Sequence, residues 1–343
     1  MRSILWVIVL VPAAIFQAQA DEDQRGAPAD DSVKVDAYTE AVPKTCTFAQ
    51  TYPTESGERS EGWAAISMMV DTKGRPYEVT VVDSNGNRVL DDAAIKTIQS
   101  CQYKPATSSG QPIDSSVNTS VTFRLAEKPG ASKKFAATFT ALKAAIGSKD
   151  KEGANAILAD LRTRTLYEEA YANLARYQFY RQWGSEAQQL DALRNAVGRG
   201  DYLSGDVKKL ALTALLQLEI RTNNLENAMD AWNKLKKLPL DQLERDEMQV
   251  RMDRVDAVRT GDMPFEIAGE IPRRLSWTVR LSRRKFDVVV LDGHVDQLKL
   301  RCKKQYVAFR FDPALRYSVA PTAGICDLEV LGDEGTKFDL VQQ

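Results

Sequence analysis

The chain of 343 residues has a single histidine, only four cysteines and no excess of either charge. One histidine leaves little material for a nucleophile–base pair or a histidine-rich metal centre, since both need several activated groups close together. Lys and Arg number 46 against 47 Asp and Glu, a formal charge of −1. That balance excludes a global electrostatic pull toward nucleic acid or an anionic membrane. Beyond the N-terminus no apolar run reaches the ~20 residues of a membrane-spanning helix. No motif supports a named reaction, so no enzyme activity, metal or cofactor is expected. What is present is a globular composition, 43% hydrophobic, on a chain long enough for two or three domains.

The first twenty residues, "MRSILWVIVLVPAAIFQAQA", carry one basic residue, an apolar stretch from Ile4 to Phe16, and a small-x-small end at Ala18-Gln19-Ala20. This is the layout of a secretory signal, and it predicts a mature chain beginning at Asp21 with no membrane span after cleavage. Export makes the even cysteine count meaningful. Four cysteines allow three pairings. Cys46 and Cys101 fall in one segment and Cys302 and Cys326 in another, with none between.

Residues 21–45 are polar, acidic and aperiodic, and are expected to form a flexible linker. From 46 to 127 the patterns are mixed. "GWAAISMMVD" and "PYEVTVVDS" read as strands joined by "TKGR". Leu90, Ala94, Ile98 and Cys101 then recur at helical spacing, and alternation returns at Val117, Thr119, Val121, Phe123 and Leu125. This is a ββαβ unit. From 132 to 260 strands vanish, and seven helical stretches separated by breakers follow. Ser185–Gln188 and Asp241–Glu244 have capping-box spacing. The paired helices, with Ala228 and Trp232 at a small and a large position, resemble tetratricopeptide repeats. From 262 to 343 six short strands with turn residues between them argue an antiparallel sandwich.

Other features read as structural. Asp292, His294 and Asp296 alternate in a polar hairpin loop, and one segment with two carboxylates does not close a metal site. Trp183 and Trp232 are expected in the core. The basic clusters "SRRK" (282–285) and "RCKK" (301–304) are expected on a solvated sheet face.

"YP" at 52–53, "EGW" at 61–63, "VDTKGRP" at 70–76, "VVDSNGNRVLDDAAI" at 81–95 and "CQYKPATSSGQPI" at 101–113 together resemble the C-terminal domain of TonB, the energy transducer of Gram-negative envelopes. The resemblance implies a periplasmic protein whose ββαβ domain lends a sheet edge to extended "box" peptides of outer-membrane transporters. Carried over, it assigns that edge to Gln50, Tyr52, Val117, Thr119, Val121 and Phe123. It also places Cys46 at the start of the domain and Cys101 at the helix end, so disulfides Cys46–Cys101 and Cys302–Cys326 are expected. The chain departs from a transducer in lacking a long proline-rich arm, since residues 21–45 contain only Pro28 and Pro43. An envelope assembly scaffold without energy transduction is therefore the alternative. The expected fold is multidomain α+β: a ββαβ TonB C-terminal-like domain, an α-helical tetratricopeptide-like array and a C-terminal antiparallel β-sandwich.

Overall fold

The computed structural model describes residues 38–46, 61–125, 130–198, 202–272 and 276–343. The expected signal segment 1–20, with Ala18 and Ala20, lies outside these residues, as do Gln50 and Tyr52. Among the described residues no helix is long and apolar enough to cross a membrane.

The first region runs β1 (Val42–Thr45), β2 (Gly62–Val70), β3 (Pro76–Ser84), α1 (Arg88–Gln99), β4 (Gln102–Lys104), β5 (Ala106–Ser108), β6 (Gln111–Ile113) and β7 (Ser115–Phe123). Asp71 shapes the β2–β3 turn, its Oδ1 accepting from the N–H groups of Lys73 and Arg75 at 2.9 and 2.8 Å. Gly74 completes the turn at φ +79°, and a Cβ there would meet the Tyr103 carbonyl at 1.9 Å. Asn87 caps α1 by accepting from the Val89 N–H at 3.1 Å. Leu90, Ala94 and Ile98 of the helix then bury against Ile66, Met68 and Val121 of the sheet. Strand order is β3-β2-β7, all antiparallel, with β2 in the middle.

The expected linker 21–45 needs correction at its end. Thr39 exchanges backbone hydrogen bonds with Thr107 at 2.9 and 3.0 Å, and β1 pairs with β4. The Cys46–Cys101 disulfide holds β1 beside the end of α1, and Ala41 packs on the domain core. Side-chain composition alone does not register a segment whose order comes from a crosslink and main-chain pairing.

Seven helices follow: α2 (Lys133–Gly147), α3 (Lys151–Asp160), α4 (Leu166–Trp183), α5 (Glu186–Gly198), α6 (Gly205–Arg221), α7 (Leu225–Leu235) and α8 (Gln242–Thr260). Both expected capping boxes form. Ser185 N–H donates to Gln188 Oε1 while Gln188 N–H donates to Ser185 Oγ, and Asp241 and Glu244 reciprocate in the same way at α8. Each helix packs on its neighbours in sequence, and α2 also packs on α4.

The last region has β8 (Phe265–Glu270), β9 (Trp277–Arg280), β10 (Lys285–Asp292), β11 (Val295–Cys302), β12 (Tyr306–Arg310), β13 (Tyr317–Ser318), β14 (Cys326–Gly332) and β15 (Lys337–Gln342). They form two four-stranded antiparallel sheets, β13-β10-β15-β8 and β12-β11-β14-β9. β8 and β13 add to the six expected strands. Cys302 and Cys326 sit opposite each other on β11 and β14 and are disulfide-bonded. The expected break at 260–262 does not divide the core. Leu215, Trp232 and Val255 of the helices share one apolar cluster with Phe265, Phe286, Leu298 and Phe338 of both sheets.

Candidate functional site

The functional question centres on β7, which borders its sheet. Its pairing with β2 is unbroken from Gly62↔Phe123 to Val70↔Ser115. The direction of its hydrogen bonds follows from β2. Trp63 donates its N–H to Asn85 Oδ1 and accepts from the Asn85 N–H, both at 3.3 Å, on the β3 side. Asp71 N–H donates to the Arg75 carbonyl on that same side. Odd-numbered residues of β2 thus address β3 and even-numbered ones address β7, because main-chain direction alternates along a strand. Opposite the even residues stand Ser115, Val117, Thr119, Val121 and Phe123. Leu125, next in that series, likewise turns its N–H toward β2, donating to Glu61 Oε1 at 3.0 Å.

This relocates the expected edge. Val117, Thr119, Val121 and Phe123 spend their main-chain groups on β2, and Val121 and Phe123 are buried in the domain core with Val117 packed beside them. The outward N–H and C=O groups belong to Ser116, Asn118, Ser120 and Thr122. No described strand pairs with them. The strand to which the resemblance assigned the edge borders its sheet, but its outward main-chain groups belong to the other alternate set of residues.

The second face of the sheet is covered. Trp63, Ser67 and Met69 point away from α1, yet are only 4%, 2% and 0% exposed. The polar face of the β12-β11-β14-β9 sheet covers part of this side, through contacts with Tyr77, Glu78 and Asn118. On β11 Leu298 and Leu300 turn into the core, while Lys299 and Arg301 turn the other way. Lys299 Nζ pairs with Glu78 Oε2 at 2.9 Å. Arg301 donates to the Glu78 carbonyl at 2.8 Å and to Glu329 Oε2 at 3.1 Å. Glu329 also accepts from Ser276 at 2.7 Å. The hydrogen bond from Lys299 holds the Glu78 carboxyl below the usual carboxylate range. Tyr306 packs edge-on against Tyr77 with ring centroids 6.2 Å apart, and burial followed by the Glu78 charge pushes its pKa up to about 12. Nearby, Asn118 donates to Asp327 Oδ2 at 2.8 Å, and Lys303 pairs with Glu40 at 2.9 Å.

The "RCKK" cluster is therefore an internal contact and not a solvated face: Arg301 is 2% exposed, and Lys303 and Lys304 lie against Tyr38. "SRRK" is also engaged. Arg283 donates to the Val258 and Arg259 carbonyls at the end of α8, where the helix dipole favours a cation. His294 and Asp296 remain exposed and 3.1 Å apart. Among the described residues no group of three or more metal-ligating side chains forms.

Glu61, absent from the expected site, joins three elements. Its Oε1 accepts from Leu125 at the end of β7, and its Oε2 accepts from Leu166 at the start of α4 at 2.9 Å. Its own N–H donates to the Arg164 carbonyl at 2.8 Å. A glutamate just before an apolar strand is the sequence signal, but its partners lie more than 60 residues away.

The fold and the border strand define a mixed α+β protein with a small antiparallel domain in which no described strand pairs with the outer side of β7. Residues 49–125 match the family model for the Gram-negative bacterial TonB protein C-terminal, so this part of the chain is a TonB C-terminal domain. No curated protein gives a match to the chain.

Proposed function

We propose that this is a non-enzymatic periplasmic interaction protein that binds extended peptides of cell-envelope partners by adding a strand to β7. The observation behind this reading is the outward row of main-chain groups at Ser116, Asn118, Ser120 and Thr122, with no described strand against it. An incoming extended peptide completes such a row, and its alternate side chains supply selectivity. In this reading the segment 1–20 directs export, and outer-membrane transporters or their box-like peptides provide the strand. Helices α2–α8 act as a tetratricopeptide-like array, and the two four-stranded sheets act as a β-sandwich framing the domain. Titration of the full mature chain with box-like peptides, followed by amide shifts in NMR, tests it. Shifts along 116–122 support strand addition; shifts confined to the helices reject it.

A second reading, an envelope assembly scaffold without an energy-transducing role, draws on one specific observation. The TonB C-terminal domain is sealed against the last β region through Glu78, Lys299 and Arg301, so it is built into the body of the protein. Crosslinking in intact cells separates the two. Capture of transporters favours the first reading, and capture of assembly factors through the helices favours the second.

A further inference from the structure

The last helix, α8, has one packed side and one bare one. Met252 and Val255 are buried in the shared apolar core, with Met248 packed beside them. On the opposite side Leu243, Val250 and Val258 stand 69%, 54% and 45% exposed. At about 3.6 residues per turn these three lie within about 80° of one another around the helix, so they form a single stripe. Isolated exposed apolar residues are ordinary on a protein surface, whereas an aligned row marks a contact face. Glu247 and Arg254 sit on the same stripe between the apolar residues, and both are exposed. Among the described residues neither of them forms an ion pair.

The helix is held firmly at both ends. The capping box of Asp241 and Glu244 closes its start, and Arg283 donates to the Val258 and Arg259 carbonyls at its finish. The stripe is therefore presented on a preformed helix, which lowers the ordering cost of an association.

The stripe is also complementary to itself. Leu243 and Val258 lie equally far from the boundary between Val250 and Arg251, and so do Glu247 and Arg254. A second α8 laid antiparallel on the first, with a two-fold axis at that boundary, sets Leu243 against Val258 of the partner and Glu247 against Arg254 of the partner, each twice. The two Val250 side chains meet beside the axis. A two-fold interface requires a patch that complements its own copy, and this one does so in both apolarity and charge. A parallel pair in register would instead oppose Glu247 to Glu247 and Arg254 to Arg254, which like-charge repulsion disfavours.

We propose that α8 is a self-association surface through which two copies of this chain pair antiparallel. The helix has 19 residues, so a single helix pair makes a small contact. The dimer is accordingly reversible, with a dissociation constant on the order of 100 µM. This surface does not depend on strand addition at β7.

Sedimentation velocity of the full mature protein between about 5 µM and 1 mM tests the assignment, with a dimer fraction expected to rise across that range. Glu247→Arg and Arg254→Glu each turn two attractive pairs into repulsive ones. Either is expected to weaken the dimer at least about tenfold while leaving the melting temperature of the monomer unchanged. Mixed in equal amounts, the two variants are expected to form a heterodimer near wild-type strength, because one supplies two cations and the other two carboxylates. The combined E247R/R254E chain is expected to pair with itself again. A protein that stays monomeric at about 1 mM overturns the proposal and leaves the stripe to a different partner protein. Dimers indifferent to both reversals, or variants that do not recover on mixing, overturn it as well.

Discussion

Arg301, a side chain 2% exposed in the last β region, donates a 2.8 Å hydrogen bond to the main-chain carbonyl of Glu78 in the TonB C-terminal domain. Glu78 sits at φ +48°, at an irregularity in the β2–β3 ladder that turns its carbonyl out of the sheet. One guanidinium thus holds a strand irregularity of one region to the buried Glu329 of another.

Replacing Arg301 with Met is expected to cost about 3–5 kcal/mol, because it leaves the Glu329 carboxylate buried without its cation. Urea unfolding measures this. The double variant R301M/E329M is expected to recover much of the loss, since an apolar pair of similar volume needs no compensation.

The same interface responds to acid. The folded-state pKa of Glu78 is lowered by its hydrogen bond from Lys299. A depressed carboxyl contributes stability that is complete above its ordinary value of 4.5 and is lost as pH falls through the lower folded value. The melting-temperature gap between wild type and Glu78→Gln is therefore expected to be widest near neutrality and to close in strong acid. A gap independent of pH would show that Glu78 acts through shape alone.

Much of this architecture was legible in sequence because local signals agreed with tertiary demand. Asn87 and Asp241 mark helix starts, and the period change at Leu90 marks α1. The seven helices were legible too, because their capping residues and breakers are local. What was not legible depended on distant partners. Lys299 and Arg301 alternate with leucines just as a solvated strand face would, and only the fold reveals another sheet lying over them. β8 was missed since Gly269 interrupts its alternation; the gap is filled by the Phe338 ring, whose atoms would come within 2.3 Å of a Cβ there.

The disulfide Cys46–Cys101 closes a separation of 55 residues. Removing it by C46A/C101A is expected to cost about 4 kcal/mol in the chain-entropy model, and to release β1 from β4 first. Hydrogen exchange at Val42–Thr45 should rise well before exchange in β2. Equal rates in both strands would mean that main-chain pairing, and not the crosslink, orders the leading segment.

Glu61→Gln keeps shape but weakens two hydrogen bonds whose acceptor is charged, at Leu125 and Leu166. Hydrogen bonds to charged groups contribute roughly 1.5–3 kcal/mol each, and neutral ones about 1, so a loss of about 1–3 kcal/mol is expected. The loss should be accompanied by faster exchange at the N-terminus of α4. An unchanged melting temperature would show that the joint at Glu61 is incidental.

The main-chain direction of β7 yields the sharpest test of strand addition. Ser120 is exposed, and its N–H points outward, so Ser120→Pro removes a donor that β2 does not use. Proline is tolerated on an edge strand when the missing N–H faces solvent, and the fold should persist with little change in melting temperature. Peptide binding along the edge should fall sharply, because the incoming strand loses a ladder bond and meets the proline ring. Thr119→Pro is one residue away and opposite in effect. Thr119 stands opposite Ile66, its N–H is directed into the β2 ladder, and proline there orphans an acceptor inside the sheet. A loss of at least about 1–3 kcal/mol is expected. Thermal melts of both variants, paired with peptide titrations, separate the possibilities. Destabilisation by Ser120→Pro equal to that by Thr119→Pro would reverse the assignment of outward groups. Full peptide affinity in a well-folded Ser120→Pro protein would remove β7 as the docking edge and leave the helical face to carry any partner.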